Sequence, residues 1–266
     1  QSANFPFCTI EPNIGVISVP DERLETLSKI VNPNKVVPAT VEVVDIAGLV
    51  KGASKGEGLG NKFLANIRET DAIIHVLRCF EDDNIVHVDG SVNPIRDKET
   101  VDMELQLKDL ETLEKIYDKN LRAAKSGDIV AKKTIHIVEK YIAHLNLGNS
   151  ARTLDLTEEE IDVISDLDLI TSKPVLYLCN VDELSIMNSN KYVESVKEAV
   201  KDEGAEVLLI ATAIEAEIAE LEDVDEQNIF LEELGLSKPG VHHLIQSTYR
   251  LLDLQTYFTV GKKEVR

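Results

Sequence analysis

An acidic residue at the end of an apolar run is the sharpest chemical signal in this sequence. Asp45 lies near the end of the apolar segment 41–46, and Gly48 follows three residues later. In proteins that transfer phosphoryl groups, an Asp at such a strand end holds Mg²⁺, often through water. The glycine lets its backbone N–H approach a γ-phosphate without a Cβ in the way. A D-x-x-G spacing also arises by chance, so a strand that simply leads into a turn explains the same residues.

Two further segments have the composition of ligand-binding loops. Four glycines fall within residues 52–60, a density typical of a mobile loop that orders around a ligand. Near the start of the chain, Thr9 lies between Pro6 and Pro12, where its hydroxyl could reach Mg²⁺. Thr9 is therefore a candidate metal ligand.

Two strand ends in the second half of the chain carry groups that suit a nucleobase. Asn180 and Glu183 are three residues apart, with Val181 between them, and their amide and carboxyl groups could recognise a base edge by hydrogen bonds. The next strand end adds small residues and backbone N–H groups: Ala211, Thr212 and Ala213. These residues predict a base-binding site.

Short apolar runs predict the strands that position these groups. They recur at residues 14–19, 41–46, 72–77, 175–179 and 206–210. Continuous apolar runs indicate strands that are buried on both faces, as in a sheet with helices on each side. Helical patterns lie between them, such as the spacing of Leu24, Leu27 and Ile30, so the fold class is α/β.

The long segment between the third and fourth strands has a helical pattern. One apolar stripe runs from Met103 to Leu121 and a second from Val130 to Leu145, in steps of three or four residues. Because residues 126–128 interrupt the pattern only briefly, we expect an antiparallel helical hairpin. A further helix is predicted from Thr157, since Glu160 completes a capping box.

Composition excludes several classes of protein. The chain has 266 residues with 28 Lys and Arg against 48 Asp and Glu, a formal charge of −20, which argues against indiscriminate binding to nucleic acid. Three cysteines without C-x-x-C spacing predict neither a disulfide framework nor a zinc site and fit a reducing, cytoplasmic compartment. No apolar run approaches the roughly 20 residues that cross a bilayer, so no membrane partner is expected.

Basic residues nevertheless cluster around the predicted hairpin tip. They are Lys119, Arg122, Lys125, Lys132, Lys133 and Lys140. A solvated helical face is the simpler explanation. The alternative is a patch that binds RNA or an acidic protein surface.

Several longer phrases resemble one protein family closely. They are FPFCTIEPN, DIAGLVKGASKGEGLGNKFLANIRETDAI, RCFEDDNIVHV and LQTYFTVGKKEVR. The sequence is similar over essentially its whole length to the YchF-type, Obg-like ATPases. The resemblance implies a P-loop NTPase-like G domain with a mostly parallel sheet between helices, interrupted by an inserted antiparallel helical hairpin. It also implies domain boundaries: G domain in 1–92 and 171–253, insertion in 93–170, and the start of a TGS domain in 254–266.

The same resemblance implies a substrate and a metal. The family prefers ATP to GTP, and Thr9 corresponds to its switch threonine, which would coordinate Mg²⁺ beside Asp45. Gly48 completes the D-x-x-G pair at the γ-phosphate. Asn180 and Glu183 match an N-x-x-E form in place of the usual N-K-x-D, and the longer Glu would disfavour guanine and admit adenine.

The resemblance to the family assigns the catalytic role to a histidine. Leu49 stands where Ras-like enzymes have a glutamine that orients water, and an apolar side chain cannot do so. The family assigns this role to the position of His87. Taken alone, a single histidine is more often structural or surface-exposed, and His75, inside an apolar strand, is better explained as a core residue.

One part that the family has is not found in this sequence. There is no G-x-x-x-x-G-K-[ST] motif, and the resemblance implies that this phosphate-binding loop precedes residue 1. Three hypotheses follow: a nucleotide hydrolase, a switch whose output is docking to the ribosome or a protein, and a fragment that is inert without the loop. The expected protein is a cytoplasmic monomer that binds no sequence-specific DNA.

Overall fold

Strands and helices alternate along the chain in this computed structural model, which describes residues 13–46, 59–87, 89–164, 167–221 and 223–266. The strands are β1 Asn13–Ser18, β2 Thr40–Asp45, β3 Ile73–Arg78, β4 Val175–Asn180 and β5 Glu206–Ile210. The helices are α1 Glu22–Val31, α2 Leu59–Arg68, α3 Pro94–Lys125, α4 Ile129–Asn146, α5 Glu158–Ile164, α6 Glu183–Asn188, α7 Lys191–Val200, α8 Thr212–Glu220, α9 Val224–Glu233 and α10 Gly240–Leu251. The α/β class and the predicted strands are confirmed.

A three-stranded parallel sheet, in the order β3-β4-β5, forms the main core. The central strand β4 is buried along Val175–Cys179, as its continuous apolar run predicts. Side chains from α7, α8 and α9 cover the sheet, among them Val193, Ile214 and Leu231. Because parallel strands share one direction, the three carboxyl ends meet at one edge, where the predicted base-binding residues follow.

Strands β1 and β2 pair with each other in a separate antiparallel ribbon, from Asn13 opposite Asp45 to Ser18 opposite Thr40. The expectation that these strands are buried on both faces is wrong for the part of the chain described here. Ile14 and Val16 are each 62% exposed, and Val76 on β3 is 58% exposed. The physical reason is that, within the described part of the chain, no layer packs over these three side chains, so water reaches them.

The predicted helical hairpin is present. Helices α3 and α4 are joined by the turn at 126–128, where Gly127 has a φ of +98° and Asp128 caps α4 by accepting from the Ala131 N–H. The core between them includes Leu113, Ile137 and Tyr141. The predicted capping box also forms, since the Glu160 carboxylate accepts from the Thr157 N–H and the Thr157 hydroxyl accepts from the Glu160 N–H.

The apolar stripe of α3 differs from the prediction at its base. Met103 and Leu107 are exposed, and most of the buried positions there are polar, including Lys98 and Asp109, with Leu105 as a buried apolar residue between them. Asp109 accepts from the backbone N–H groups of Ile170 and Thr171 at 2.8 and 2.7 Å. This end of α3 therefore packs through hydrogen bonds, which hydrophobic periodicity cannot detect. Within the described ranges, no helix has the length and apolar character needed to cross a bilayer.

The C-terminal segment packs against the loop before β2. Val265 is fully buried, donates its N–H to the Lys35 carbonyl at 3.0 Å and accepts from the Val37 N–H at 2.9 Å. The segment 254–266, predicted as the start of another domain, thus contacts the first part of the chain.

Candidate functional site

A pocket of about 320 Å³ lies at the carboxyl edge of the parallel sheet. It is built from the residues that follow β3, β4 and β5 together with α9. Among its lining residues are five that the sequence predicted for the base: Asn180, Val181, Glu183, Thr212 and Ala213. Ala211, the sixth, is buried directly behind them as the residue that precedes α8. Residues from two separate strand ends thus share one site.

Asn180 ties two of these segments together. Its side-chain oxygen accepts from the backbone N–H of Thr212 at 3.2 Å and from the Thr212 hydroxyl at 3.1 Å. The start of α8 is therefore fixed to the end of β4. The amide NH₂ of Asn180 is a donor that can face a ligand.

Glu183 lies exposed at the rim of this pocket, at the first position of α6. The helix begins there because Asp182 caps it, with its carboxylate accepting from the Ser185 N–H at 2.8 Å. Val181 is buried and donates its N–H to the Ile210 carbonyl at 2.9 Å. The backbone is thus held on both sides of Asp182, which fixes where Glu183 points from the helix start.

The pocket has an apolar wall that the sequence analysis missed. Phe80, Phe230, Leu234 and Ile214 contribute it. An apolar wall with a few polar groups at the rim is the usual composition of a site for a planar heterocycle. Phe80 belongs to the phrase RCFEDDNIVHV, which was a usable signal, whereas the residues on α9 have no local one.

The charge of the pocket indicates which part of a nucleotide it suits. Five carboxylates line it: Glu81, Asp82, Asp182, Glu183 and Glu217. Hydrogen bonds from Tyr192 and Lys191 hold the pKa of Glu81 below its ordinary value, so this carboxylate remains charged at neutral pH. Such a negative rim repels a triphosphate, and the phosphate chain must therefore lie outside the pocket.

Arg78 organises the loop that closes one side of the pocket. Its guanidinium donates to the carbonyl oxygens of Phe80, Asp82 and Ile85 at 3.1, 3.2 and 2.8 Å, and it lies 4.8 Å from the centre of the Phe80 ring. The segment from Phe80 to Ile85 is thereby folded around one cation.

Two buried cysteines lie beneath the pocket. Contact with Cys179, together with burial, raises the pKa of the Cys79 thiol, and both side chains have no exposed surface. The Cys79 carbonyl also accepts from the Asn190 side chain at 2.8 Å. A buried thiol of raised pKa is a weak nucleophile, so Cys79 has a packing role.

His87 does not line the pocket. It is largely buried against the start of α3, where its Nε2 lies 2.9 Å from the Asp97 carboxylate and its Nδ1 accepts from the Asp89 N–H at 3.1 Å. His75 differs in environment: burial lowers its pKa, and its ring lies 5.6 Å from that of Tyr177. This agrees with a core role for His75.

Of the predicted metal and phosphate residues, Asp45 falls within the described part of the chain. Asp45 is exposed at the end of β2 and does not line the pocket. Its carboxylate is the hard oxygen donor that Mg²⁺ prefers, so it fits a magnesium site. Thr9 and Gly48 lie outside the described residues.

A larger cavity of about 810 Å³ lies between α1 and the helices α9 and α10. None of the predicted site residues lines it. Burial lowers the pKa of His242 in its wall, and nearby Lys238 adds to this effect, so that histidine is uncharged at neutral pH. Its size alone does not make it the functional site.

Comparison with known proteins agrees with this geometry. A family model described as 50S ribosome-binding GTPase matches residues 1–110. The chain is 53% identical over 266 residues to the ribosome-binding ATPase YchF of Haemophilus ducreyi, covering all of this chain and 73% of that protein. It is 50% identical over 268 aligned residues to the Bacillus subtilis protein of the same name, with the same coverage.

A solved structure gives the same result. The YchF GTPase of Schizosaccharomyces pombe superposes with a TM-score of 0.83 at 36% identity, covering 99% of this chain and 72% of that one. Sequence identity and fold thus agree over nearly all of the chain, and the matched range includes the helical hairpin. The chain belongs to the YchF family.

Proposed function

We propose that this chain is the nucleotide-binding part of a ribosome-associated NTPase that hydrolyses the β–γ bond of ATP, and less readily of GTP. The names of its relatives, ribosome-binding ATPase and YchF GTPase, support this activity. The observation that carries the proposal is the pocket at the sheet edge. Residues predicted separately to contact a base come from two strand ends and line one site.

The chemistry of the pocket supports a division of roles. Asn180 and Glu183 would recognise the base edge while Phe80 and Phe230 pack against its face. Asp45 and Thr9 would hold Mg²⁺, which when bound neutralises charge on the phosphate oxygens, and Gly48 would approach the γ-phosphate. His87 would orient the attacking water. Catalysis of this kind consists mainly of positioning and charge stabilisation.

The experiment that tests this proposal is nucleotide binding by calorimetry. The 266 residues contain no G-x-x-x-x-G-K-[ST] motif, so we expect the chain alone to bind ATP weakly. A version extended at its N-terminus by the corresponding segment of the H. ducreyi relative should bind ATP with Mg²⁺ at least about tenfold more tightly than GTP. Equal affinity, or no binding by the extended chain, would contradict the proposal.

A second function, docking, is favoured by the hairpin tip. Lys119, Arg122, Lys125, Lys132 and Lys133 are exposed, whereas Lys140 pairs with Glu160 and leaves the patch. Ile129 and Val130 beside them are 71% and 67% exposed. A basic tip with apolar side chains on an otherwise acidic chain suits a phosphate-rich surface such as the ribosome, and we propose that the protein acts there, as a cytoplasmic monomer.

A further inference from the structure

His87 is held through both nitrogens of its ring. Nδ1 accepts from the backbone N–H of Asp89 at 3.1 Å, so the ring proton must be on Nε2, which faces the Asp97 carboxylate at 2.9 Å. The side chains of His87 and Asp97 are only 17% and 24% exposed. In this position neither nitrogen is free to orient a water molecule.

The Asp97 carboxylate, which accepts from His87, is itself held in place. The guanidinium of Arg96 donates to the other carboxylate oxygen of Asp97 at 3.2 Å and to the Ser91 carbonyl at 2.6 Å. Asn93 caps α3 by accepting from the Arg96 N–H at 3.1 Å. The site that receives His87 is therefore preformed on the first turn of α3.

That first turn is also anchored to the rest of the protein. Lys98, the residue after Asp97, forms ion pairs with Asp102 at 2.7 Å and with Glu203 at 2.8 Å, and its side chain is largely buried. Movement of His87 away from Asp97 must therefore come from the loop that carries His87, not from the helix.

A metal site is the alternative explanation of this cluster. Ligand atoms of His87, Asp89 and Asp97 lie within 4.8 Å of one another. The Arg96 guanidinium, however, already lies 3.4 Å from Asp89 and 3.2 Å from Asp97. A metal ion would have to displace or approach this fixed cation, and Coulomb repulsion opposes that.

The loop that carries His87 also reaches the pocket at the sheet edge. Its first residues, Phe80 to Asp82, line that pocket, and Arg78 holds the carbonyls of Phe80, Asp82 and Ile85 together. A ligand that displaces Phe80 therefore pushes on a loop that ends at His87. The loop physically connects base binding to the Asp97 contact.

From these contacts we infer that Asp97 is a positioning residue that holds His87 in a resting position, and that turnover requires the imidazole to leave it. This inference rests on the proposed role of His87 in orienting water. Breaking the contact should then raise the rate of hydrolysis, because less of the protein remains in the resting position.

The test is ATP turnover by the complete protein carrying Asp97→Asn, which keeps the shape of the side chain and weakens the hydrogen bond. We expect kcat to rise about fivefold with KM unchanged. This factor corresponds to the net free energy that one hydrogen bond contributes to stability. The control is Asp118→Asn, which removes the same charge from an exposed position on the same helix. The control should match the wild type.

The outcomes separate this inference from the proposed function. If His87→Ala leaves turnover unchanged, the proposed role of His87 is wrong. If His87→Ala lowers turnover and Asp97→Asn also lowers kcat, the resting position is wrong, because Asp97 then orients the imidazole for catalysis. If His87→Ala lowers turnover and Asp97→Asn behaves like the control, the resting position is also wrong, because Asp97 then has only a packing role.

A spectroscopic measurement tests the contact without any activity. Long-range ¹H–¹⁵N spectra of the nucleotide-free protein should show His87 with its proton on Nε2. Asp97→Ala, checked for folding by thermal unfolding, should shift the Nε2 resonance of His87, because Nε2–H loses its acceptor while the Asp89 N–H still donates to Nδ1. A proton on Nδ1 in the wild type, or an unchanged spectrum in the variant, would overturn the inference.

Discussion

The choice between adenine and guanine depends, in the proposed site, on the length of one acidic side chain. Guanine presents two neighbouring N–H donors that a carboxylate can accept together, whereas adenine presents one donor beside an acceptor nitrogen. Glu183 begins α6 at the pocket rim, and its extra methylene moves the carboxylate further along the base edge than an aspartate would. In the proposed site, the Glu183 carboxylate would therefore avoid the pairing that selects guanine.

Shortening this side chain should change the base preference. With Glu183→Asp in the N-terminally extended chain, we expect the affinity for GTP relative to ATP to rise about tenfold, as one recovered charged hydrogen bond implies. Calorimetry with both nucleotides measures the ratio. Glu217→Asp, a matched change on α8 in the same pocket, should leave it unaltered. An equal response in the two variants would mean that Glu183 does not recognise the base.

The residues of the site at the ends of β4 and β5 were predictable from sequence, and the apolar residues at the end of α9 were not. Asn180 and Thr212 follow strand ends, and polar groups at such positions are a chemical signal. Phe230 and Leu234 are apolar residues on a later helix and cannot be told from core by type. Asp97 was missed for another reason: an acid in the first turn of α3 is already explained by the helix dipole.

Elements were predictable wherever hydrophobicity alone forms them. Each predicted strand lies within two residues of an observed one, since each apolar run is bounded by polar residues or turns. The base of α3 was not predictable, because Lys98 and Asp109 are buried there through pairs with distant partners. At the tip of the same helix the charged residues are exposed, as their sequence pattern predicts.

Reversing charge at the hairpin tip should weaken docking. With Lys132→Glu and Lys133→Glu in the complete protein, we expect ribosome co-sedimentation to fall about tenfold at physiological salt and the difference to shrink as salt rises. Lys262→Glu with Lys263→Glu makes the same charge change at an exposed pair far along the chain and serves as the control. If both double variants sediment alike, the patch is only a solvated face.

Across the whole molecule, one polar network joins the helical hairpin to the sheet. The Glu203 carboxylate accepts from the Lys98 ammonium and from the Arg152 guanidinium, each at 2.8 Å, and from the Tyr177 hydroxyl at 2.8 Å. These partners come from α3, from the 3₁₀ turn Ala151–Thr153 and from β4. This carboxylate is therefore one link between the hairpin core and the sheet core.

Removing that charge should destabilise the protein as a whole. Glu203→Gln removes the carboxylate that pairs with the largely buried Arg152 and leaves Lys98 with Asp102, which costs roughly 3 kcal/mol by the usual penalty for breaking a buried ion pair. The thermal midpoint should fall by about 6–10 °C. Glu198→Gln, whose exposed carboxylate pairs with Lys201, should change stability by less than about 0.5 kcal/mol. Similar losses in both variants would show that the network does not join the two cores.

The difference in unfolding free energy between the wild type and Glu203→Gln should depend on pH, which gives a second measurement. Burial opposes the charge on Glu203, but hydrogen bonds from Arg152, Lys98 and Tyr177 hold its pKa below the ordinary value of 4.5. A carboxyl group whose pKa is lower in the folded state stabilises the protein above its unfolded pKa, and that stabilisation is lost as the pH falls through the folded pKa. The wild type should therefore exceed Glu203→Gln in unfolding free energy at pH 7. This difference in unfolding free energy should become smaller below about pH 4.5. A gap that stayed constant from pH 7 to pH 3 would mean that the loss comes from packing and not from charge.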